Sequence, residues 1–265
     1  MRISSTVLKS LAVAAVGTLA LTACGSSDTP AASSDAEGNA ITLISEGKLT
    51  VCSDIPYEPF EFTNKEGKIV GFDMDIAAEI AKDMDVELSV IDSSFDAIES
   101  GLFKTQCDIA ISSVSITDAR KGNMDFSSPY MDDDLTLVAK EGSGVTDLES
   151  AKGKKVGVQQ ATTGAKFAQE NGLDAIGYED SGLQLASLKA GTTVATLGNQ
   201  SVLGYAIKDD PTLKRVADFT TGEQLGVAVP KGATAMLDQV NTTLKRLTDD
   251  GSLAKFTETW FGATN

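Results

Sequence analysis

The sequence contains no histidine. That removes the commonest general base and the commonest metal ligand, and no cysteine cluster or calcium-loop spacing takes over the second role. Cations are scarce: 22 Lys and Arg stand against 38 Asp and Glu, for a formal charge of −16 at pH 7. Phosphate contacts need Lys and Arg, so nucleic acid is set aside as a partner, as is docking of the protein surface on anionic lipid. The apolar run "LAVAAVGTLAL" (Leu11–Leu21) is too short to span a bilayer comfortably. "MDDDL" (Met131–Leu135) lacks the alternation and glycine of a calcium loop and reads as a solvated acidic segment. No cofactor is called for.

What is present starts with the leader. Arg2 and Lys9 charge a short region around the apolar run, and "LTAC" (Leu21–Cys24) closes it with small residues before a cysteine. This resembles the lipobox of bacterial lipoproteins. The resemblance implies a signal peptide over 1–23, cut before Cys24, and lipid on Cys24 that ties the protein to a membrane. The plainer alternative is an ordinary secretory signal followed by a chance cysteine. "GSSDTPAASSDAEGNA" (Gly25–Ala40) has no large apolar residue, so 24–40 reads as a flexible tether. Such a segment has an r.m.s. reach of roughly 20–24 Å. Cys52 and Cys107 remain. In an exported protein they form either a disulfide or two small buried hydrophobes. Both fall in apparent strands of one parallel sheet, where a bridge is awkward.

The folded part alternates strands and helices. "KLTVCSD" (Lys48–Asp54), "ELSVID" (Glu87–Asp92) and "CDIAIS" (Cys107–Ser112) read as strands. Between them, Ile76, Ile80 and Met84 fall on one helical face, and Phe95, Ile98 and Leu102 on another. This spacing predicts an α/β fold with a parallel sheet covered on both faces. The pattern restarts near Leu135 and ends in a long helix carrying Met236, Val240, Leu244 and Leu247. Extended crossings near Met131–Thr136 and Thr220–Leu225 would divide the chain into lobe 1 (41–134 and 222–265) and lobe 2 (135–221), with a cleft between them.

"CDIAISSVSITDAR" (Cys107–Arg120) turns from an apolar strand into Ser112, Ser113, Ser115 and Thr117, and ends on the single arginine between Arg2 and Arg215. Ligands of open α/β sheets sit beyond the carboxyl ends of the strands. Thr117 is a natural helix N-cap, and Arg120 would then occupy a first helical turn, where a cation is unfavourable for the helix itself. A guanidinium beside free N–H groups makes a carboxylate clamp. The alternative is a surface salt bridge with ordinary capping.

"DIPYEPFEF", "GFDMDIAAEIAKDM", "FDAIESGL", "ISSVSITDAR" and "MDFSSPY" occur in this order within 49–261, and together they resemble the family 3 extracellular solute-binding proteins of polar amino acid ABC transporters. The resemblance implies a two-lobed, periplasmic-binding-protein-like (type II) clamshell with two hinge crossings. It further implies a monomeric, non-catalytic receptor on the outer face of a cell membrane, which hands an amino acid or derivative to a permease. A Gram-positive envelope fits the tether. Arg120 would hold the ligand α-carboxylate with help from the Ser115 N–H, while Ser113 C=O and the Ser115 hydroxyl face the α-amino group. Thr163 would add a second-lobe N–H. Tyr57 and Phe95 would flank the ligand's body, and Asp54 and Gln159 would read its side chain. Asp73 is read as the N-cap of its helix. One position departs from the pattern: Asn199 stands where the family places an aspartate for the ligand ammonium. Two rivals remain, a dehydratase-like enzyme on the same fold with Asp54 as acid/base, and a ligand-sensing module.

Overall fold

The structure, a computed structural model, describes residues 40–262. The leader, Cys24, all of the tether but Ala40, and the last three residues lie outside the described residues.

The first sheet is built from two separated stretches of chain. β1 (Lys48–Ser53), the small hairpin β2 (Phe62–Thr63) and β3 (Ile69–Val70), α1 (Phe72–Asp83), β4 (Glu87–Asp92), α2 (Phe95–Glu99), β5 (Ile109–Ala110), α3 (Asp118–Lys121) and β6 (Met124–Phe126) come first. A short crossing strand, β7 (Met131–Asp132), leads to the second sheet. That lobe contains β8 (Leu135–Lys140), α4 (Leu148–Ala151), β9 (Lys155–Gln159), α5 (Thr163–Glu170), β10 (Asp174–Tyr178), α6 (Ser181–Ala190), β11 (Ala195–Asn199), α7 (Gln200–Ile207) and β12 (Leu213–Phe219). The chain returns through β13 (Gln224–Leu225) to β14 (Ala228–Pro230), α8 (Thr234–Asp249) and α9 (Ser252–Phe261). The sheet orders are β4-β1-β5-β14-β6 and β10-β9-β11-β8-β12. The two crossings pair antiparallel, Gln224 with Asp132 and Leu225 with Met131.

Neither sheet is purely parallel. β14 runs antiparallel to β5 and β6, and β8 antiparallel to β11 and β12. The expectation of parallel sheets fails at the strands next to the crossings, because a chain that leaves a lobe and re-enters it arrives against the prevailing direction.

The helical periodicities explain the packing. Ile76 and Ile80 of α1 meet Val240, Leu244 and Leu247 of α8 over one face of the first sheet, with Leu49, Val51 and Ile109 beneath. On the other face Cys52, Phe95, Ile98, Phe103, Cys107 and Met124 form a second cluster. Leu102 does not join it. Gly101 takes a left-handed conformation (φ 77°) that ends the helical turn, leaving Leu102 exposed and burying Phe103 instead. Cys52 and Cys107 form a disulfide with their Cα atoms 5.6 Å apart. Cys107 lies ahead of β5 rather than inside it, which frees it from the strand geometry that makes a bridge awkward.

Candidate functional site

The loops that follow β1 and β5 in the first lobe meet those that follow β9 and β11 in the second. Three contacts cross between the lobes along one short stretch. Gln159 donates from Nε2 to Asp54 Oδ2 at 2.5 Å. Arg120 donates from Nη2 to the Ala161 carbonyl at 3.1 Å. Thr163 Oγ1 donates to Glu223 Oε2, in the returning crossing, at 2.7 Å. Residues 159, 161 and 163 are alternate positions from the end of β9 to the start of α5, so Asp54, Arg120 and Glu223 are strung along this stretch in that order. A further contact, from the Tyr57 hydroxyl to Asn199 Oδ1 at 3.1 Å, ties the lobes through β11.

Arg120 is only 4% exposed. Its Nη1 donates to the Ser115 carbonyl at 2.9 Å, and its Nε lies 3.6 Å from Glu99 Oε2. The guanidinium carbon sits 5.0 Å above the centre of the Phe95 ring. A guanidinium has five N–H groups, so each terminal nitrogen keeps a second N–H after these bonds, enough for a two-pronged grip on a carboxylate. Burial pushes the Arg120 pKa down, and the charges of Glu99 and Glu223 push it back up. Thr117 caps α3, accepting from the Arg120 N–H at 3.2 Å. α3 has only four residues, so the helix dipole adds little and the clamp rests on the side chain.

Two non-glycine residues of the site have positive φ: Ser113 (47°) and Ala161 (60°). In Ala161 this conformation accompanies a carbonyl that meets Arg120. Ser113 is held by Asp73, whose Oδ2 accepts its N–H at 2.7 Å and the Tyr130 hydroxyl at 3.1 Å. Asp73 is therefore not an N-cap. Gly71 has that place, and the Asp73 carboxylate is turned sideways onto the serine loop. Ser112 donates to Glu61, another fully buried acid.

"MDDDL" is likewise not a solvated segment. Asp133 is buried and accepts from the backbone and hydroxyl of Ser201. Asp134 accepts from the N–H groups of Thr221 and Gly222. The run stitches one crossing to α7 and to the other crossing. Glu223, Glu61 and Asp133 carry no sequence signal as site residues. Each sits in a polar stretch whose partner lies far along the chain.

Phe95 packs under Arg120, and Tyr57 stacks on Phe60 at 6.1 Å. Asn199 spends both ends of its side chain on protein, accepting from Tyr57 and donating from Nδ2 to the Asp133 carbonyl at 3.2 Å. Thr162 rather than Thr163 caps α5 through its side chain. This leaves the Thr163 hydroxyl for Glu223.

The site is acidic around Asp54. Burial raises the Asp54 pKa to about 7; the hydrogen bond from Gln159 opposes the rise, and Asp92, Asp180 and Glu179 add to it. Burial likewise raises Asp133 to about 7. Burial and mutual repulsion raise Glu61, and burial raises Asp73. In the unfolded chain such groups titrate near 4. A raised carboxyl contributes stability that is complete below the unfolded pKa and is lost as pH rises through the folded one. The window is therefore about pH 4 to 7. The melting temperature of the ligand-free protein should be higher at pH 5 than at pH 8, by at least about 5 °C, as read by calorimetry. A flat profile, or a fall on acidification across that range, would show that these carboxyls are not held protonated.

The profile of the bacterial extracellular solute-binding proteins, family 3, matches residues 49–263. The chain belongs to that family. The L-cystine-binding protein TcyJ of Escherichia coli (strain K12) is 32% identical over 222 residues, covering 82% of this chain and 84% of its own. The arginine-binding extracellular protein ArtP of Bacillus subtilis (strain 168) is 32% identical over 258 residues, covering 95% and 96%. The crystal structure of an ancestral amino acid-binding protein, a precursor of cyclohexadienyl dehydratase, superposes with a TM-score of 0.76 at 32% identity, covering 81% of this chain and 96% of that one. The type II two-lobed α/β fold is that of the family, and the chain is a solute receptor of it.

Proposed function

We propose that this receptor binds an α-amino acid with a cationic or donor-rich side chain and delivers it to the permease of an ABC transporter. The observation that carries the reading is the pairing of Arg120 with Ala161 and of Asp54 with Gln159 on one connection of the second lobe. A carboxylate grip and an acidic side-chain reader thus close together on the same segment. Ligand that touches both lobes favours the closed state. The test is calorimetry with L-arginine, L-lysine, L-histidine and L-cystine. At least one should bind with a Kd of about 1 µM or tighter, while its decarboxylated counterpart (agmatine for arginine) should not bind. Failure of all four, or equal binding of the decarboxylated compounds, would overturn the reading.

The receptor acts as a monomer without catalysis. Turnover of a bound cyclic carboxylate would instead favour the dehydratase-like alternative, for which Asp54 is the acid/base candidate. Lipid on Cys24 holds the protein on the outer face of the membrane of a Gram-positive cell. Cys24→Ser should move it to the soluble fraction without changing its affinity for the amino acid. Retention of the mutant on membranes after a high-salt wash would contradict the anchor.

A further inference from the structure

Glu223 has no place in the carboxylate clamp or the side-chain reader, yet it touches both lobes. Its Oε2 accepts from Ser115 Oγ at 2.7 Å in the first lobe and from Thr163 Oγ1 at 2.7 Å in the second. Among the described residues no Lys or Arg lies within ion-pair distance of it. Arg120 gives its terminal N–H groups to the carbonyls of Ser115 and Ala161 and turns its Nε toward Glu99. Arg120 acts on it only through space, and a half-buried carboxylate with no cation in contact is a costly latch, since a neutral side chain would hold two hydroxyls as well. Its charge needs an answer from elsewhere.

The hydroxyls show what that answer is. A carboxylate oxygen only accepts, so Ser115 and Thr163 must each spend their single hydroxyl hydrogen on Glu223. Any ligand group that reaches these oxygens meets lone pairs alone. Such a surface accepts from N–H donors and repels a second carboxylate. Ser115 Oγ is the hydroxyl expected to face the ligand's α-amino group. Asn199, where a charge would be expected, is neutral, and both ends of its amide are engaged with protein.

We propose that Glu223 is the specificity-determining positioning residue for the ligand ammonium: it fixes Ser115 and Thr163 as acceptors and supplies the negative charge that Asn199 lacks. This rests on the reading of the protein as an amino acid receptor. It places the counter-charge on the hinge crossing rather than on the second-lobe strand, so ammonium recognition and lobe closure act through one residue. A solute with the carboxylate but no ammonium would leave Glu223 unanswered.

The test compares Glu223→Gln with wild type by calorimetry, using four matched pairs: L-arginine and 5-guanidinopentanoate, L-lysine and 6-aminohexanoate, L-histidine and imidazolepropionate, L-cystine and 3,3′-dithiodipropionate. Wild type should favour the amino acid it binds over the matching desamino compound. Glu223→Gln should shrink that preference by at least about ten-fold, the scale of one charge-assisted contact, with the loss falling on the amino acid alone. An equal loss for both compounds would reduce Glu223 to a structural latch and overturn the proposal. So would an unchanged preference. A wild type that binds none of the four amino acids overturns the receptor reading and this proposal together, whereas normal wild-type binding with an unaltered preference in Glu223→Gln overturns this proposal alone.

Discussion

Replacing Arg120 by alanine should weaken amino acid binding by at least about a hundred-fold and leave the fold intact. A charge-assisted hydrogen bond contributes about 1.5–3 kcal/mol net. A two-pronged grip is therefore worth about 3–5 kcal/mol, or roughly two to nearly four orders of magnitude in Kd. The loss should fall on binding rather than on stability. Burial already disfavours the charged guanidinium, as its lowered pKa shows, so the ligand-free protein gives up little when it goes. Arg120→Lys should keep the charge and lose the fork. The planar group also stacks over Phe95 and reaches two carbonyls at once, which a single ammonium cannot reproduce. Its affinity should fall between wild type and Arg120→Ala. Calorimetry of both variants with the tightest amino acid of the panel, alongside melting temperatures without ligand, separates the effects. Near wild-type affinity in either variant would remove Arg120 from the carboxylate site. A collapse of the ligand-free melting temperature would make it a structural residue.

What the sequence made legible follows from local periodicity. Ile76 and Ile80, and Met236, Val240, Leu244 and Leu247, are spaced so that only a helix buries them together, and they are buried in α1 and α8. The hydroxyl row before Thr117 was legible because an apolar strand that stops in small polar residues has few other uses. Leu102 was misread because one glycine, Gly101, turns the chain after α2 and passes the buried position to Phe103. Asp73 looked like a cap because acids favour helix starts. Nothing local shows that Gly71 lets backbone carbonyls do the capping and frees the acid for Ser113.

The acids of the site were the least legible part. Glu61, Asp133 and Glu223 lie in stretches of the kind that cover surfaces, and an acid in such a stretch is ordinarily solvated. The burial of Glu61 and Asp133, and the half-burial of Glu223, are long-range facts. Glu61 meets Ser112, Asp133 meets Ser201, and Glu223 meets Ser115 and Thr163. Only the fold brings these pairs together. A formal charge of −16 hides which few of 38 acids matter.

Gly71→Ala should be among the most destabilising single substitutions in the first lobe. Gly71 has φ 146°, a conformation that residues with a Cβ rarely adopt. An added Cβ would fall 1.9 Å from the Phe60 carbonyl oxygen, 2.3 Å from its carbon and 2.8 Å from the Glu61 nitrogen. All three are backbone atoms, so no side chain can swing away. The close approach is what lets the first N–H groups of α1 be satisfied, Phe72 by the Pro59 carbonyl at 3.0 Å and Asp73 by the Phe60 carbonyl at 3.1 Å. Pushing the loop off would break both bonds and displace Tyr57 and Glu61 with it. Backbone strain of this kind costs about 1–3 kcal/mol. With two lost buried bonds the total should be about 4 kcal/mol or more, a fall in melting temperature of about 10 °C or more. Gly67→Ala is the control. Gly67 also has positive φ (75°), but nothing lies within 4 Å of the added Cβ, so only strain remains and the loss should be about 1 kcal/mol. Gly71→Ala should also weaken amino acid binding, because Tyr57 leaves Asn199, whereas Gly67→Ala should not. Similar melting temperatures for the two variants would show that the loop carrying Tyr57 does not depend on its contact with the start of α1.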